Sequence, residues 1–377
     1  MQSLLEKLPA SIRFGAGAVS QVGTVASGLG KKALIVTGRS SAKKSGVLDK
    51  VSGLLEANGV DWAVFDRVPA NPTTDTAKDG LAVLRENACD FVIGLGGGSS
   101  LDCAKTIAFL AKHDGPLFDY IYGRLEAGEA LPILAIPTTC GTGSEANYFA
   151  VTTDSETHDK KSLRTASIFP DVSLVDSNLM KTMPKRLLAA VGFDAICHLM
   201  EAYLSKGCTP EVAEQALGGL ALAVPALPRL YAGIGTAADW EALTLSSTIG
   251  GWCIGQAGVT APHGLEHPLS GLYNLTHGEG LAALTPVITE LSWAEEPARY
   301  TRIARLFGTD AAGLTDTLTE YIQKLGLPTK LSLGKNYAAD IPWLVENTIK
   351  VSIGGLKGHP VFFDEEALRL IFSRISE

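Results

Sequence analysis

"FVIGLGGGSSLDCAK", residues 91–105, joins a short apolar run to a helix-like pattern through three consecutive glycines, Gly96 to Gly98. An apolar run bounded by glycine is the sequence form of a buried strand. Glycines at a strand–helix junction let backbone N–H groups approach a phosphate with no Cβ in the way, and the helix N-terminus adds partial positive charge. Ser99 or Ser100 would cap that helix or reach a phosphate oxygen. A tight turn needing positive φ explains one or two glycines; three in succession favour phosphate. The run is neither GxGxxG nor a Walker loop, so the surrounding chain must decide its meaning.

Outward from it, "ALIVTG" (33–38), "WAVFD" (62–66), "PILAIPTT" (132–139) and "VSLVD" (172–176) read as further strands. Helices are expected between them, near 41–57, 74–88 and 99–112. This alternation makes a mostly parallel sheet covered on both faces, with ligands bound beyond the carboxyl ends of its strands. After about residue 180 the strand signals stop. Residues 183–205, 210–224, 238–259, 278–292, 295–307, 313–325 and 364–376 all read as helices. The expected fold is therefore α/β plus all-α. A Rossmann-like, dinucleotide-binding parallel-sheet domain spans 1–182, and a helical metal-binding and catalytic domain spans 183–377.

Two more loops follow strands. "IPTTCGTGSEAN" (136–147) offers the hydroxyls of Thr138, Thr139 and Thr142, although Ser144 and Glu145 would also suit a plain helix start. In "TGRSSAKKSG" (37–46), Gly38, Arg39 and Ser40 stand where NAD sites place an acid for the ribose 2′-hydroxyl. Arginine and hydroxyls suit a 2′-phosphate, so NADP is expected in preference to NAD, unless this is only a basic, solvated helix start.

Composition removes other classes. With 377 residues the chain is long enough for two cores. A formal charge of −8 and the absence of a Lys/Arg block speak against nucleic acid. No apolar run is expected to span a membrane, the richest being "LGGLALAVPALPRL" with its two prolines. The N-terminus lacks the pattern of a secretory signal, and six scattered cysteines read as reduced packing residues. A cytoplasmic protein is expected.

Histidine is scarce, seven in all, yet "APHGLEHPLSGLYNLTH" (261–277) holds three: His263, His267 and His277. Earlier, in "VGFDAICHLMEAY", Asp194 and His198 are four apart and share one face of an apolar helix with Glu201. Buried there, they need a mutual hydrogen bond or a shared cation. A divalent Zn²⁺ or Fe²⁺ takes several neutral imidazoles and a carboxylate. Asp194, His198, His263 and His277 would supply such a set, although spacing alone does not say which of the three later histidines stands outside it.

The motifs "IRFGAGA", "NPTTD" (71–75), "GGGSSLDCAK", "PTTCGTGSE", "VDSNLMKTMPKRLLAAVGFDAICHLMEAYLS" and "HGLEHPLSGLYNLTHGEGLA" occur in this order over nearly the whole chain. With them the chain resembles the iron-containing, metal-dependent (group III) alcohol dehydrogenases. The resemblance implies a dehydroquinate-synthase-like architecture and hydride transfer between NAD(P) and a small alcohol or aldehyde. It assigns Asp194, His198, His263 and His277 to Fe²⁺ or Zn²⁺ and puts His267 beside the substrate. Gly97, Gly98 and Ser99 would hold the pyrophosphate, with Asp102 in the same motif among the cofactor residues. Thr138, Thr139 and Thr142 would line the nicotinamide side, Asn71 the ribose region, and Lys160 or Lys161 would contact the cofactor. A homodimer is the family expectation.

Departures from the family pattern are Gly38-Arg39, where many NAD users carry Asp, and Pro262 and Glu266, where relatives often carry small or aliphatic residues. Pro262 is expected to kink the helix before a ligand. Glycerol- or diol-type dehydrogenases using NAD are the near alternative. A dehydroquinate-synthase-like lyase would need basic residues around the metal, and 194–204 and 251–280 contain neither Lys nor Arg.

Overall fold

Ala33 and Ile35 belong to one buried apolar cluster and Leu34 and Val36 to another, although all four are consecutive. Side chains alternate across a strand, so this run needs cover on both faces, as in a central strand of a parallel sheet. The computed structural model, which describes all 377 residues, supplies that cover. Its strands are β1 (Ile12–Phe14), β2 (Lys32–Gly38), β3 (Asp61–Val68), β4 (Phe91–Gly96), β5 (Ile133–Pro137), β6 (Phe149–Thr153), β7 (Lys160–Arg164) and β8 (Val172–Val175). Six of them form one sheet in the order β1-β8-β5-β4-β2-β3, every neighbouring pair parallel. Numbering only helices of ten residues or more, α1 (Val47–Glu56) covers one face, and α2 (Thr74–Glu86) and α3 (Gly98–Leu110) cover the other.

The chain divides into two compact units, Met1–Met183 and Pro184–Glu377. The second is helical: α4 (Lys185–Leu204), α5 (Pro210–Tyr231), α6 (Ala237–Ala257), α7 (Ala261–Tyr273), α8 (His277–Ser292), α9 (Pro297–Leu306), α10 (Leu314–Lys324), α11 (Tyr337–Gly358) and α12 (Glu365–Arg374). Helices α4, α5 and α6 pack on one another. Leu265 and Leu269 of α7 share a core with Leu284 and Ile288 of α8, Leu344 of α11 and Phe372 of α12.

Several expectations are corrected. Strand β1 has three residues with Arg13 in the middle, too short for a periodic signal. The antiparallel β6–β7 hairpin was not expected either; "KKSLR" is too polar to look like a strand. The helix expected over 41–57 is broken at Gly46, whose φ of +73° interrupts it. Helix α5 runs through Pro225 and Pro228 to Tyr231, and α11, with Pro342 and two adjacent glycines, had no expected counterpart. By length and composition alone α4 could cross a membrane, contrary to expectation. Its apolar character has another cause: from Leu188 to Leu204 almost every residue is buried within the second unit.

Candidate cofactor cradle and metal centre

In the first unit the chain turns back on itself between β2 and β4, because β3 lies outside β2 while β5 and β8 lie beyond β4. That switch point is where open α/β sheets bind ligands. Gly38 ends β2, Gly96 ends β4 opposite Pro137 of β5, and the Thr138 N–H donates to the Gly96 carbonyl at 2.8 Å. Glycine loop and threonine loop are thus side by side. A Cβ on Gly98 would stand 2.4 Å from Thr142 Cγ2, and one on Gly97 would stand 3.2 Å from Thr139 Oγ1. The overlap at position 98 requires glycine there, and the contact at 97 is tight.

The rest of the cradle is braced from α3. Asp102 accepts the Ser144 hydroxyl at 2.6 Å and the Val151 N–H at 3.0 Å. Lys105, fully buried, donates to the carbonyls of Ser144, Asn147 and Phe149 at 2.6, 2.9 and 2.9 Å. Burial pushes its pKa down to about 8 against the pull of Asp102 and Glu145. No signal in the sequence singled out Lys105. Ser99 donates to the Ala70 carbonyl. Lys160 Nζ donates to Asn71 Oδ1 at 3.2 Å, whereas Lys161 lies 5.9 Å from the Tyr122 ring; of the two lysines, it is Lys160 that joins Asn71. Arg39 and Ser40 are exposed, and Lys43 is held by Asp66 near the end of β3.

In the second unit, Asp194 and His198 stack on one face of α4, His263 lies in the first turn of α7, and His277 opens α8. A Cβ on Gly278 would meet the Ala190 carbonyl oxygen at 2.1 Å, so glycine there lets α8 approach the α4 backbone. Asp194 Oδ1 stands 3.3 Å from His263 Nε2, 3.6 Å from His198 Nε2 and 3.8 Å from His277 Nε2. Ligand atoms of Asp194, His263 and His277 all lie within 4.8 Å of one another. The His198 ring stacks on His263 with centroids 4.4 Å apart. Ligands about 2.1 Å from a tetrahedral ion stand about 3.4 Å from each other, so the spacing of Asp194, His263 and His277 fits a divalent cation. His198 reaches the same Asp194 oxygen but is not part of that mutually close group. His267 lies outside the set, its ring 6.3 Å from His263 and 6.0 Å from His277. Pro262 does not kink α7. It sits in the first turn, where no intrahelical N–H bond is lost.

Burial and charge pull against each other throughout this cluster. Burial raises the Asp194 carboxyl, but His198, His263 and His277 outweigh it and hold the group well below the carboxylate range. Burial pushes His198 down to about 4 despite Asp194. Burial also lowers His263, yet Glu201 and Asp194 overcome it and raise the imidazole to about 10.

Models of two protein families match the chain: iron-containing alcohol dehydrogenase over residues 9–177, and the C-terminal part of the Fe-containing alcohol dehydrogenase family over 188–368. The chain belongs to the iron-containing alcohol dehydrogenase family. Curated relatives include a NAD-dependent methanol dehydrogenase of Bacillus methanolicus, 32% identical over 91% of this chain and 92% of its own. Another is a NADPH-dependent butanol dehydrogenase of Clostridium saccharobutylicum, 31% identical over 86% of this chain and 85% of its own. Among solved structures, an archaeal halo-thermophilic alcohol dehydrogenase from a Red Sea brine pool has a TM-score of 0.91 and 32% identity over 97% of both chains. As a member of this family the chain is an oxidoreductase, and the family works with NAD(P) and a metal.

Two carboxylates of this dehydrogenase had no role in the sequence reading. Glu201 was only a member of the α4 stripe and Glu266 only a departure. In the fold, Glu201 Oε1 lies 2.5 Å from His263 Nδ1, and its Oε2 accepts the Thr260 N–H at 2.7 Å. Glu266, fully buried, accepts from His277 Nδ1 and from the Ser270 hydroxyl. A buried carboxylate near histidines was the available signal, but its partner depends on which helices meet.

Proposed function

We propose that this enzyme interconverts small alcohols and aldehydes with NADP preferred over NAD, using a divalent Fe²⁺ or Zn²⁺ held by Asp194, His198, His263 and His277. The observation that carries the metal assignment is the convergence of three imidazole Nε2 atoms on one Asp194 oxygen at 3.3–3.8 Å. When bound, the cation supplies Lewis acidity that makes an alcohol hydroxyl easier to deprotonate, and the nicotinamide supplies the carbon that exchanges hydride.

The chain's own residues do the rest. Glu201 and Glu266 keep the Nδ1 protons of His263 and His277, which leaves Nε2 of each for the cation. Gly97 and Gly98 leave the α3 N-terminus open to a pyrophosphate, bordered by Ser99. Thr138, Thr139 and Thr142 orient the nicotinamide end, Asn71 and Lys160 hold the ribose region, and Asp102 braces the threonine loop. Gly38 removes the steric and electrostatic objection to a 2′-phosphate, and the exposed Arg39 and Ser40 meet it; Lys43 is already engaged by Asp66. His267 takes the hydroxyl proton on its imidazole and passes it to solvent. A cytoplasmic homodimer completes the reading.

The test follows NADPH and NADH absorbance with short aldehydes, before and after chelation and with Fe²⁺ or Zn²⁺ restored. Turnover should depend on the ion and be faster with NADPH. Faster turnover with NADH would remove the cofactor preference, and full activity in the chelated enzyme would remove the metal assignment. His267→Ala should lower turnover about a hundredfold with metal content intact, the usual worth of a positioned acid or base. Loss of metal instead would make His267 a ligand.

A further inference from the structure

Two of the imidazoles at the metal centre are gripped from behind by a carboxylate on a different helix. Glu201, on α4 with Asp194 and His198, holds His263 of α7; Glu266, on α7 with His263, holds His277 of α8. Helices α4 and α7 thus each bring a ligand to the cluster and fix the ligand on the next helix. The seat of Glu266 is built for it. Ser270, one turn further along α7, donates to Oε1, and His277 donates to Oε2. On α8, a Cβ at position 280 would stand 2.9 Å from Glu266 Cγ and 3.1 Å from Oε1, so Gly280 leaves the space the carboxylate fills. A fully buried carboxylate is expensive unless its oxygens are hydrogen-bonded, and here both are.

We propose that Glu266 is a positioning residue for the cation: it holds the proton of His277 on Nδ1, turns Nε2 toward Asp194 and makes that nitrogen a stronger donor. The anchoring matters more for His277 than for the others, because its side chain is 26% exposed, against 3% for His263 and 6% for His198. A ring that packing holds less firmly depends more on its hydrogen bond. Carboxylates behind metal-binding histidines typically change affinity by about 10–100-fold. This inference rests on the ligand set proposed above.

The experiment is a double-mutant cycle on the full chain, read as Co²⁺ affinity by competition with a chelator and needing no turnover. Glu266→Gln should weaken Co²⁺ about tenfold in the otherwise native chain, because the charge-assisted hydrogen bond is lost while the volume is kept. In a His277→Ala background the same substitution should change nothing, since Glu266 acts through that ring. An equal loss in both backgrounds would mean that Glu266 only packs, and no loss in the native background would mean that it does not act on the ion; either overturns the proposal. If His277→Ala alone binds Co²⁺ as tightly as the native chain, it is the ligand assignment that fails, and Glu266 loses its role with it.

Discussion

At the carboxyl end of β4 the chain makes room by leaving atoms out, whereas among α4, α7 and α8 it fills the space with groups that are costly to bury. Gly97 and Gly98 bring two loops together because neither has a Cβ, and the neighbours they meet are threonine side chains. Asp194, Glu201 and Glu266 are all buried, and each is matched by histidine nitrogens. The first arrangement tolerates no added volume; the second tolerates no missing partner. A backbone cradle therefore fails sterically, and a buried ion site fails electrostatically.

The two failures should separate in variants. The largest effect is expected for Asp194→Asn, which removes the anion shared by three imidazoles. Turnover should fall at least about a thousandfold, since the Lewis acid contributes several kcal/mol to the transition state. Metal content should drop while NADPH still quenches or enhances fluorescence as in the native chain; loss of NADPH binding as well would break the contrast.

Next comes acid sensitivity. Burial holds His359 down to about 4 from an ordinary 6.5, and its Nε2 is paired with the Ser292 hydroxyl at 2.8 Å. As pH falls, the unfolded chain takes up this proton first, so the stabilising contribution is complete above 6.5 and gone below about 4. The metal-free chain should lose about 3 kcal/mol from this group across that window. Denaturant unfolding of His359→Gln should show a correspondingly shallower pH slope; an unchanged slope would remove His359 from the account.

The smallest effect is expected for Gly98→Ala. The added methyl pushes against Thr142, and the KM for the cofactor should rise about tenfold, the lower end of what overpacking costs. Metal content should stay native. A variant with native KM would show that the threonine loop yields easily, and the cradle would then be less tightly specified than the cluster.

Much of this is legible in the sequence. Strands β2, β4, β5 and β8 are short apolar runs between turn residues, and their burial follows from that pattern; β3 reads the same way but lies at the sheet edge and is only partly buried. Asp194 and His198 are four apart on a helix, so their common face needed only helical geometry. The β6–β7 hairpin was invisible because "KKSLR" is polar; what holds it is pairing with its partner strand and the Asp102 contact to Val151. Lys105 looked like any lysine at the end of a glycine motif. Its burial comes from the loop that folds over it and supplies its carbonyl acceptors.

The order of residues along the chain was enough to specify the apolar strands of the sheet, most of the helices and the residue types suited to a phosphate or a cation, because periodicity and local spacing act within a few residues. Partnerships over tens of residues needed the folded molecule: Glu201 with His263, Glu266 with His277, Lys160 rather than Lys161 with Asn71. A hydrogen bond depends on distance and direction in space, and only the packing of helices and strands sets those.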